Sequence, residues 1–154
     1  ADVRTLAGLR GRLEVVADDP LVVADVAHNP SSLAATLAAV TTGLQEESDG
    51  TWSGTLWVAL GLLQDKDLTG IVQELSRCDA ETLRVIPLRL DSDRARPADD
   101  IATACREAGL PVDDPARPAE AVTAFRNAAG PGDALLANGS HAVVAPLLSA
   151  TASA

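Results

Sequence analysis

The stretch Val22-Val23-Ala24-Asp25-Val26-Ala27-His28-Asn29-Pro30 decides the fold, because in it an apolar strand runs through a polar cluster into the start of a helix. Asn29 can accept a hydrogen bond from the first helical turn, and Pro30 suits the first helical position, where no intrahelical N–H bond is needed. A strand that feeds a helix in this way is typical of α/β proteins. The polar junction between them is a suitable place for a phosphate or a nucleotide.

The rest of the chain continues this alternation of strands and helices. With 47% apolar but only 2% aromatic residues, the core is built from Ala, Val and Leu, which suits helices packed on a parallel sheet. We therefore predict a Rossmann-like, three-layer α/β domain with a mostly parallel sheet of about six strands, one antiparallel edge strand and helices on both faces. The predicted strands are 11–17, 21–26, 55–62, 82–88 and 134–137, the first two forming a hairpin, and the predicted helices are 30–43, one through 71–75, 98–108, 118–129 and 141–148.

Charge and cysteine usage limit the class of protein. The net charge of −10 would repel nucleic acid and anionic lipid, and no basic patch offsets it. Cys78 and Cys105 lack metal-ligand spacing and are expected to be two buried thiols, so we predict no metal site in this domain. No apolar run is long enough to span a membrane, and a cytoplasmic protein is expected.

Polar residues follow each predicted strand of the parallel sheet, where open α/β sheets bind their ligands. Asp25 could accept hydrogen bonds from a ribose diol, and His28 could hydrogen-bond to a nucleotide or stack near it. The alternative is that Asp25 caps the following turn and His28 packs on the helix. Arg12 could bind a phosphate bidentately, and its alternative is a solvated arginine on the strand, which local sequence alone favours.

Two later loops carry further candidates. Lys66 lies between two aspartates, an arrangement more often found at a solvated helix start, with Asp67 as the cap. Ser140, together with Gly139, could offer a hydroxyl and N–H groups to an anion, or serve as an ordinary helix cap. The sequence has no phosphate loop, no dinucleotide fingerprint and no nucleophile elbow, so it does not resemble a complete NTPase, dehydrogenase or hydrolase.

Five motifs follow one another along the chain: Gly11-Arg12-Leu13-Glu14, Asp25-x-Ala27-His28-Asn29-Pro30, Gly61-x-x-x-Asp65-Lys66-Asp67, Asp93-Arg94-Ala95 and Gly139-Ser140. In order and spacing they resemble the C-terminal domain of folylpolyglutamate synthase/dihydrofolate synthase, in the Mur ligase superfamily. The resemblance covers nearly the whole chain from Gly11 onward, and the Asp-x-Ala-His-Asn-Pro motif is its most specific part.

The resemblance implies an ATP-dependent amide ligase that adds glutamate to a folate or dihydropteroate through an acyl phosphate. It implies that this domain closes over the nucleotide, while an N-terminal P-loop domain of the same polypeptide supplies the phosphate loop and most of the Mg²⁺ ligands. No catalytic residue is assigned here. The implied ATP-binding residues are Arg12, Asp25, His28 and Asn29, and the implied glutamate- or phosphate-binding residues are Lys66, Arg94 and Ser140. His141 departs from the family pattern and stays unassigned.

The domain prediction is a linker or tail at 1–10, a Mur ligase-type glutamate ligase domain at 11–149 and a tail at 150–154. Its expected partners are the N-terminal domain, glutamate and a folate or dihydropteroate, without nucleic acid or membrane, in a monomer. The isolated domain is expected to be inactive. Two alternatives stay open: a Mur ligase domain acting on a cell-wall precursor, and a free-standing, non-catalytic domain that binds a nucleotide or a partner protein.

The first prediction concerns the gene. Because the sequence contains no methionine, not even at position 1, we expect an excised domain or a processed product. Sequencing upstream should show an in-phase reading frame that encodes a phosphate loop. A start codon at the boundary would contradict the ligase hypothesis and favour the free-standing domain.

Overall fold

The computed structural model describes residues 13–18, 20–25, 29–78 and 82–139. The predicted terminal segments at 1–10 and 150–154 and the predicted helix at 141–148 lie outside these residues. The elements, in chain order, are β1 (Leu13–Asp18), β2 (Leu21–Asp25), α1 (Pro30–Glu47), β3 (Leu56–Gly61), α2 (Leu68–Ser76), β4 (Leu83–Pro87), α3 (Ala98–Glu107), α4 (Pro118–Ala128) and β5 (Ala134–Gly139).

The strands form one sheet in the order β1-β2-β5-β3-β4. Strands β2, β5, β3 and β4 are mutually parallel, and β1 pairs antiparallel with β2 as an edge hairpin. Strand β5, the last one in the described residues, is thus inserted between β2 and β3. The predicted mostly parallel sheet with one antiparallel edge strand is confirmed, with five strands in the described residues where about six were expected.

The sheet is buried on both faces, which explains why its strands are continuous apolar runs rather than alternating patterns. One face carries α1, α2 and α3, whose buried residues include Leu33, Ile71 and Ile101. The other face carries α4, whose Phe125 meets Trp57 of β3 edge to face, with ring centroids 5.7 Å apart. Helices on both faces are therefore confirmed.

Helix α1 is longer than the sequence indicated. It begins at Pro30 as predicted, but it passes through Gly43 and ends at Glu47, so the predicted end at Gly43 was wrong. A glycine within a helix costs about 1 kcal/mol relative to alanine. Here the helix continues because Leu44, one residue further on, packs in the core.

The outer edge of β4 is covered by an extended segment, residues 110–117. Backbone bonds join the two: Val85 N donates to Pro111 O at 2.9 Å, and Asp113 N donates to Val85 O at 2.8 Å. Arg84 of β4 pairs with the Asp113 carboxylate at 2.6 Å, and this hydrogen-bonded contact raises the pKa of Arg84. The segment therefore protects an edge that would otherwise expose unpaired backbone groups.

The prediction of two buried thiols holds for Cys105, whereas Cys78 is partly exposed. Burial raises the pKa of Cys105 to about 11. Burial, and then the charge of Glu74, raises the pKa of Cys78. Both shifts disfavour the reactive thiolate.

None of the helices in the described residues is long and apolar enough to cross a lipid bilayer.

A close backbone approach joins the segment before β3 to the turn before β5. Trp52 Nε1 donates to Gly132 O at 2.7 Å, and Thr55 N donates to the Asp133 carboxylate at 2.8 Å. A Cβ at Gly54 would overlap the Gly132 carbonyl and lie 2.9 Å from Asp133 N. Only glycine fits at position 54 without moving the backbone.

We predict that Gly54→Ala destabilises the protein by about 1–3 kcal/mol, because the added methyl group must displace backbone rather than a flexible side chain. The free energy of unfolding in urea measures the effect. Gly130→Ala is the matched control in the same region, since its Cβ would meet no atom closer than 4.0 Å. Equal stability of the two variants would contradict the proposed close approach.

Candidate functional site

One row of paired residues crosses the carboxyl edge of the sheet. Asp25 at the end of β2 pairs in register with Asn138 of β5, and Asn138 pairs with Leu60 of β3. On the other side, Leu13 at the start of β1 pairs with Asp25. Strands β2, β3, β4 and β5 therefore end at the same edge of the sheet, where ligands of open α/β sheets bind.

Asp25 lies in a buried hydrogen-bonded cluster at this edge. Its side chain is fully buried, and its Oδ2 accepts from Thr36 Oγ1 of α1 at 2.5 Å. Asn138 Nδ2 of β5 donates to the same oxygen at 3.4 Å. A buried carboxylate is costly unless hydrogen bonds compensate it, so these contacts help fix where β2 ends relative to α1 and β5.

The orientation of the Asn138 amide follows from this contact. A carboxylate only accepts hydrogen bonds, so Nδ2 must face Asp25. The buried Oδ1 has no hydrogen-bond partner among the described residues.

Thr36 belongs to the Asp25 cluster, but the sequence did not identify it as a candidate. Its signal was position, since a polar residue three after Leu33 falls on the buried stripe of the helix.

Asn29 caps α1 as predicted. Its Oδ1 accepts from Ser32 N at 2.8 Å, and Pro30 occupies the first helical position. The cap uses the side-chain oxygen, which leaves the Nδ2 group as the part of this residue that can serve a ligand. Whether Asn29 binds a nucleotide stays a prediction.

Close packing at Gly70 brings the starts of α1 and α2 together. A Cβ at Gly70 would lie 2.5 Å from Pro30 Cγ and would also overlap the carboxylate of Asp67. Asp67 caps α2, as predicted, by accepting from Gly70 N at 2.9 Å. The start of α1 and the loop after β3 are therefore neighbours.

Lys66, Asp65 and Arg94 meet at the ends of β3 and β4. Lys66 Nζ lies 4.0 Å from Asp65 Oδ2, and Arg94 Nη2 lies 3.9 Å from the same oxygen. These distances are too long for strong ion pairs, so Lys66 and Arg94 are both only weakly paired with Asp65. The structure brings the two predicted cations to one carboxylate, and their role in binding stays a prediction.

Arg96 also belongs to this edge, and the sequence reasoning missed it. Its Nη2 donates to Gln64 O and to Lys66 O, both at 2.9 Å. No sequence signal distinguished it from Arg94, because the contact joins two loops about 30 residues apart in the chain.

Three of the predicted site residues, Arg12, His28 and Ser140, lie outside the described residues, as does His141. Their described chain neighbours Leu13, Asn29 and Gly139 all belong to the carboxyl edge. Within the described part of the chain, no group of three His, Cys, Asp or Glu side chains could hold a metal ion.

A groove of about 540 Å³ lies at the opposite end of the sheet. Its lining includes Leu56 and Leu83, the first residues of β3 and β4, together with Trp52 and Cys78. Because ligands of such sheets bind beyond the carboxyl ends of the strands, this groove is separate from the candidate site.

Comparison with known proteins gives one family. The family model of the Mur ligase glutamate ligase domain matches residues 11–141. The resemblance and the fold class predicted from the sequence are thereby confirmed. No curated protein matches the chain.

Solved structures of larger ligases share the fold. A bifunctional folylpolyglutamate synthase/dihydrofolate synthase from Yersinia pestis, complexed with AMPPNP and Mn ion, matches with a TM-score of 0.70 and 26% identity, over 92% of this chain and 31% of that one. Mycobacterium tuberculosis folylpolyglutamate synthase, complexed with ADP and AMPPCP, matches with a TM-score of 0.63 and 27% identity, over 93% and 31%. E. coli FolC, in complex with DHPP and ADP, is 23% identical and matches in fold, with a TM-score of 0.68 over 94% and 32%. The chain therefore spans about a third of the length of these proteins.

We predict that Thr36→Val destabilises the protein by about 2 kcal/mol, because it keeps the side-chain shape but removes a donor to a buried carboxylate. Thr36→Ser, which keeps the hydroxyl, should lose less. The free energy of unfolding in urea measures both effects. Thr41→Val is the control on an exposed position of the same helix, and a loss as large there would show that the Asp25 contact is not the cause.

Proposed function

This chain belongs to the Mur ligase family as its glutamate ligase domain, and we propose that it is the C-terminal domain of an ATP-dependent amide ligase. The proposed reaction adds glutamate to a folate or a dihydropteroate. The likeness to folylpolyglutamate synthases above 25% identity supports this substrate class over a cell-wall precursor.

The observation that carries the proposal is the grouping of the motifs at one sheet edge. The Asp25 and Asn29 motif, the Lys66 motif and Arg94 are far apart in the sequence, yet they converge at the carboxyl edge. If these residues served only to stabilise the fold, they would not need to lie together. A ligase needs its nucleotide and its other substrates at neighbouring sites.

For the nucleotide we propose Arg12, Asp25, His28 and Asn29. Arg12 would bind a phosphate or the ribose, and its chain neighbour Leu13 pairs with Asp25. Asp25 would lie near the ribose as a fixed negative charge, held by Thr36 and Asn138 before any ligand binds. The similar structures were solved with AMPPNP or ADP bound, which supports a nucleotide as the ligand.

For the glutamate or phosphate end we propose Lys66, Arg94 and Ser140. In the proposed reaction a carboxylate oxygen of the folate or pteroate attacks the γ-phosphorus of ATP, which forms an acyl phosphate and releases ADP. The glutamate amine then attacks the carbonyl carbon, phosphate leaves with the bonding electrons, and the amine loses a proton. Cations at this edge would stabilise the negative charge on the phosphate, and domain closure would exclude water.

The proposed domain spans 11–149, with a linker or tail at 1–10 and a tail at 150–154, and the family match to 11–141 supports the core of this range. An N-terminal P-loop domain of the same polypeptide would supply the phosphate loop and hold Mg²⁺. We propose a cytoplasmic monomer that requires ATP and binds neither nucleic acid nor membrane. The net charge of −10 supports the absence of nucleic acid binding.

The test uses the full-length protein that contains this chain. Arg12→Ala and Asp25→Asn should each weaken ATP binding by about 10- to 100-fold, the usual cost of losing a charge-assisted contact. Calorimetric ATP titration and glutamate-dependent phosphate release are the measurements. Asp25→Asn is preferred to alanine because it keeps the side-chain volume.

Asp114→Ala is the matched control, since Asp114 is an exposed aspartate of the segment beyond β4, which lies three strands from β2 and Asp25. Unchanged ATP affinity and turnover in both site variants would refute the residue assignment. Failure of the wild-type protein to release phosphate in the presence of ATP, glutamate and a folate or dihydropteroate would refute the ligase function itself.

A further inference from the structure

Arg96 fastens two loops of the carboxyl edge together. We call residues 62–67 the β3 loop and residues 88–97 the β4 loop. The guanidinium of Arg96 in the β4 loop donates from one nitrogen to two carbonyls of the β3 loop, Gln64 O and Lys66 O, both at 2.9 Å. An arginine that serves two backbone acceptors at once fixes their relative position.

The backbones of the two loops are also paired. Gln64 N donates to Arg94 O, and Arg96 N donates to Leu62 O, both at 2.8 Å, around an antiparallel bridge between Leu63 and Ala95. Arg96 therefore extends a short ladder by adding side-chain bonds beyond its last backbone pair. The side chain reaches the one part of the β3 loop, around Lys66, that the ladder does not hold.

Arg96 differs from its neighbour Arg94 in how its charge is used. The Arg94 side chain is 73% exposed, and within the described part of the chain its guanidinium reaches only Asp65, at 3.9 Å. Arg96 forms no ion pair among the described residues, and its buried Nε has no acceptor there. Leaving the buried Arg96 Nε–H unsatisfied lowers stability. The two bonds from Nη2 to the β3 loop are the favourable interactions that offset this cost.

The contact fixes the backbone on the carbonyl side of Lys66. Lys66 O accepts from Arg96 and from Leu68 N at 3.1 Å, while Lys66 N donates to Leu63 O at 3.1 Å. The Lys66 ammonium itself lies 4.0 Å from Asp65, its recorded ion-pair partner. The main chain of Lys66 is therefore held firmly while its charged end stays available to a ligand.

We propose that Arg96 is a positioning residue, which orients Lys66 toward the glutamate or phosphate end of the ligase site without touching substrate. The inference rests on the proposed function, in which Lys66 binds glutamate or phosphate. It adds a residue outside the motifs of the family resemblance and states how that residue acts.

The test is a double-mutant cycle in the full-length protein. Arg96→Ala should lower kcat/KM for glutamate by about 10- to 100-fold, the scale of loss expected when a reacting group is displaced by about 1 Å. The KM for ATP should change by less than about twofold, because the nucleotide residues are on other loops. Adding Arg96→Ala to Lys66→Ala should cost little more than Lys66→Ala alone, because a positioning residue has no effect once its target is gone.

Two further variants keep the test decisive. Arg96→Lys, which retains several donors on one nitrogen, should recover part of the activity and guards against a misfolded alanine variant. Arg89→Ala is the matched control, because Arg89 is an exposed arginine of the same β4 loop. Its Nη1 donates to Pro115 O at 3.3 Å, outside the β3 loop. It should leave kcat/KM unchanged.

The outcomes separate the inference from the function on which it rests. If the losses from Arg96→Ala and Lys66→Ala multiply in the double variant, or if Arg96→Ala has no effect, the positioning role is refuted while the ligase function stands. If Lys66→Ala has no effect, both the site assignment of Lys66 and the role of Arg96 are refuted. If the wild-type protein shows no glutamate-dependent phosphate release, the proposed function itself has failed.

Discussion

The buried carboxylate of Asp25 is the constraint on which the carboxyl edge of this domain depends. A fully buried carboxylate must be compensated by donors, and two of them come from elements that the chain reaches only later, Thr36 of α1 and Asn138 of β5. Satisfying Asp25 requires β5 to lie beside β2 in register and α1 to pack over both. The same contact therefore couples the sheet order to the geometry of the junction after β2.

Two further contacts hold the elements of the carboxyl edge together. On one face the starts of α1 and α2 touch at Gly70 and Pro30, which leaves no room for a side chain between them. On the β4 side, Arg96 ties the β3 and β4 loops through backbone carbonyls. Together with the buried Asp25 cluster, these two contacts hold the carboxyl edge at three places, while Lys66 and Arg94 keep loosely paired charges. A site whose backbone is held in place and whose cationic side chains are only weakly paired suits a negatively charged substrate.

Much of the fold could be predicted from local sequence. The Asn29 cap, Pro30 at the first helical position, the Asp67 cap and the strand–helix alternation were all indicated, because caps and apolar periodicity act over three or four residues. The end of α1 was predicted wrongly, because Gly43 is a local stop signal that burial of Leu44 overrides. The family resemblance also came from the sequence, and the match over residues 11–141 confirms it.

The sequence by itself therefore determined most of the elements, the fold class and the motifs that carry the family resemblance. Only the tertiary structure decided which polar residues become partners: Asn138 and Thr36 with Asp25, and Arg96 with the carbonyls around Lys66. The reason is physical. Caps and helical periodicity follow from neighbours in the chain, whereas Asn138 reaches Asp25 across 113 residues only because β5 pairs with β2. Such a pairing is favoured by the burial of both sheet faces at once, a property that no short stretch of the sequence carries.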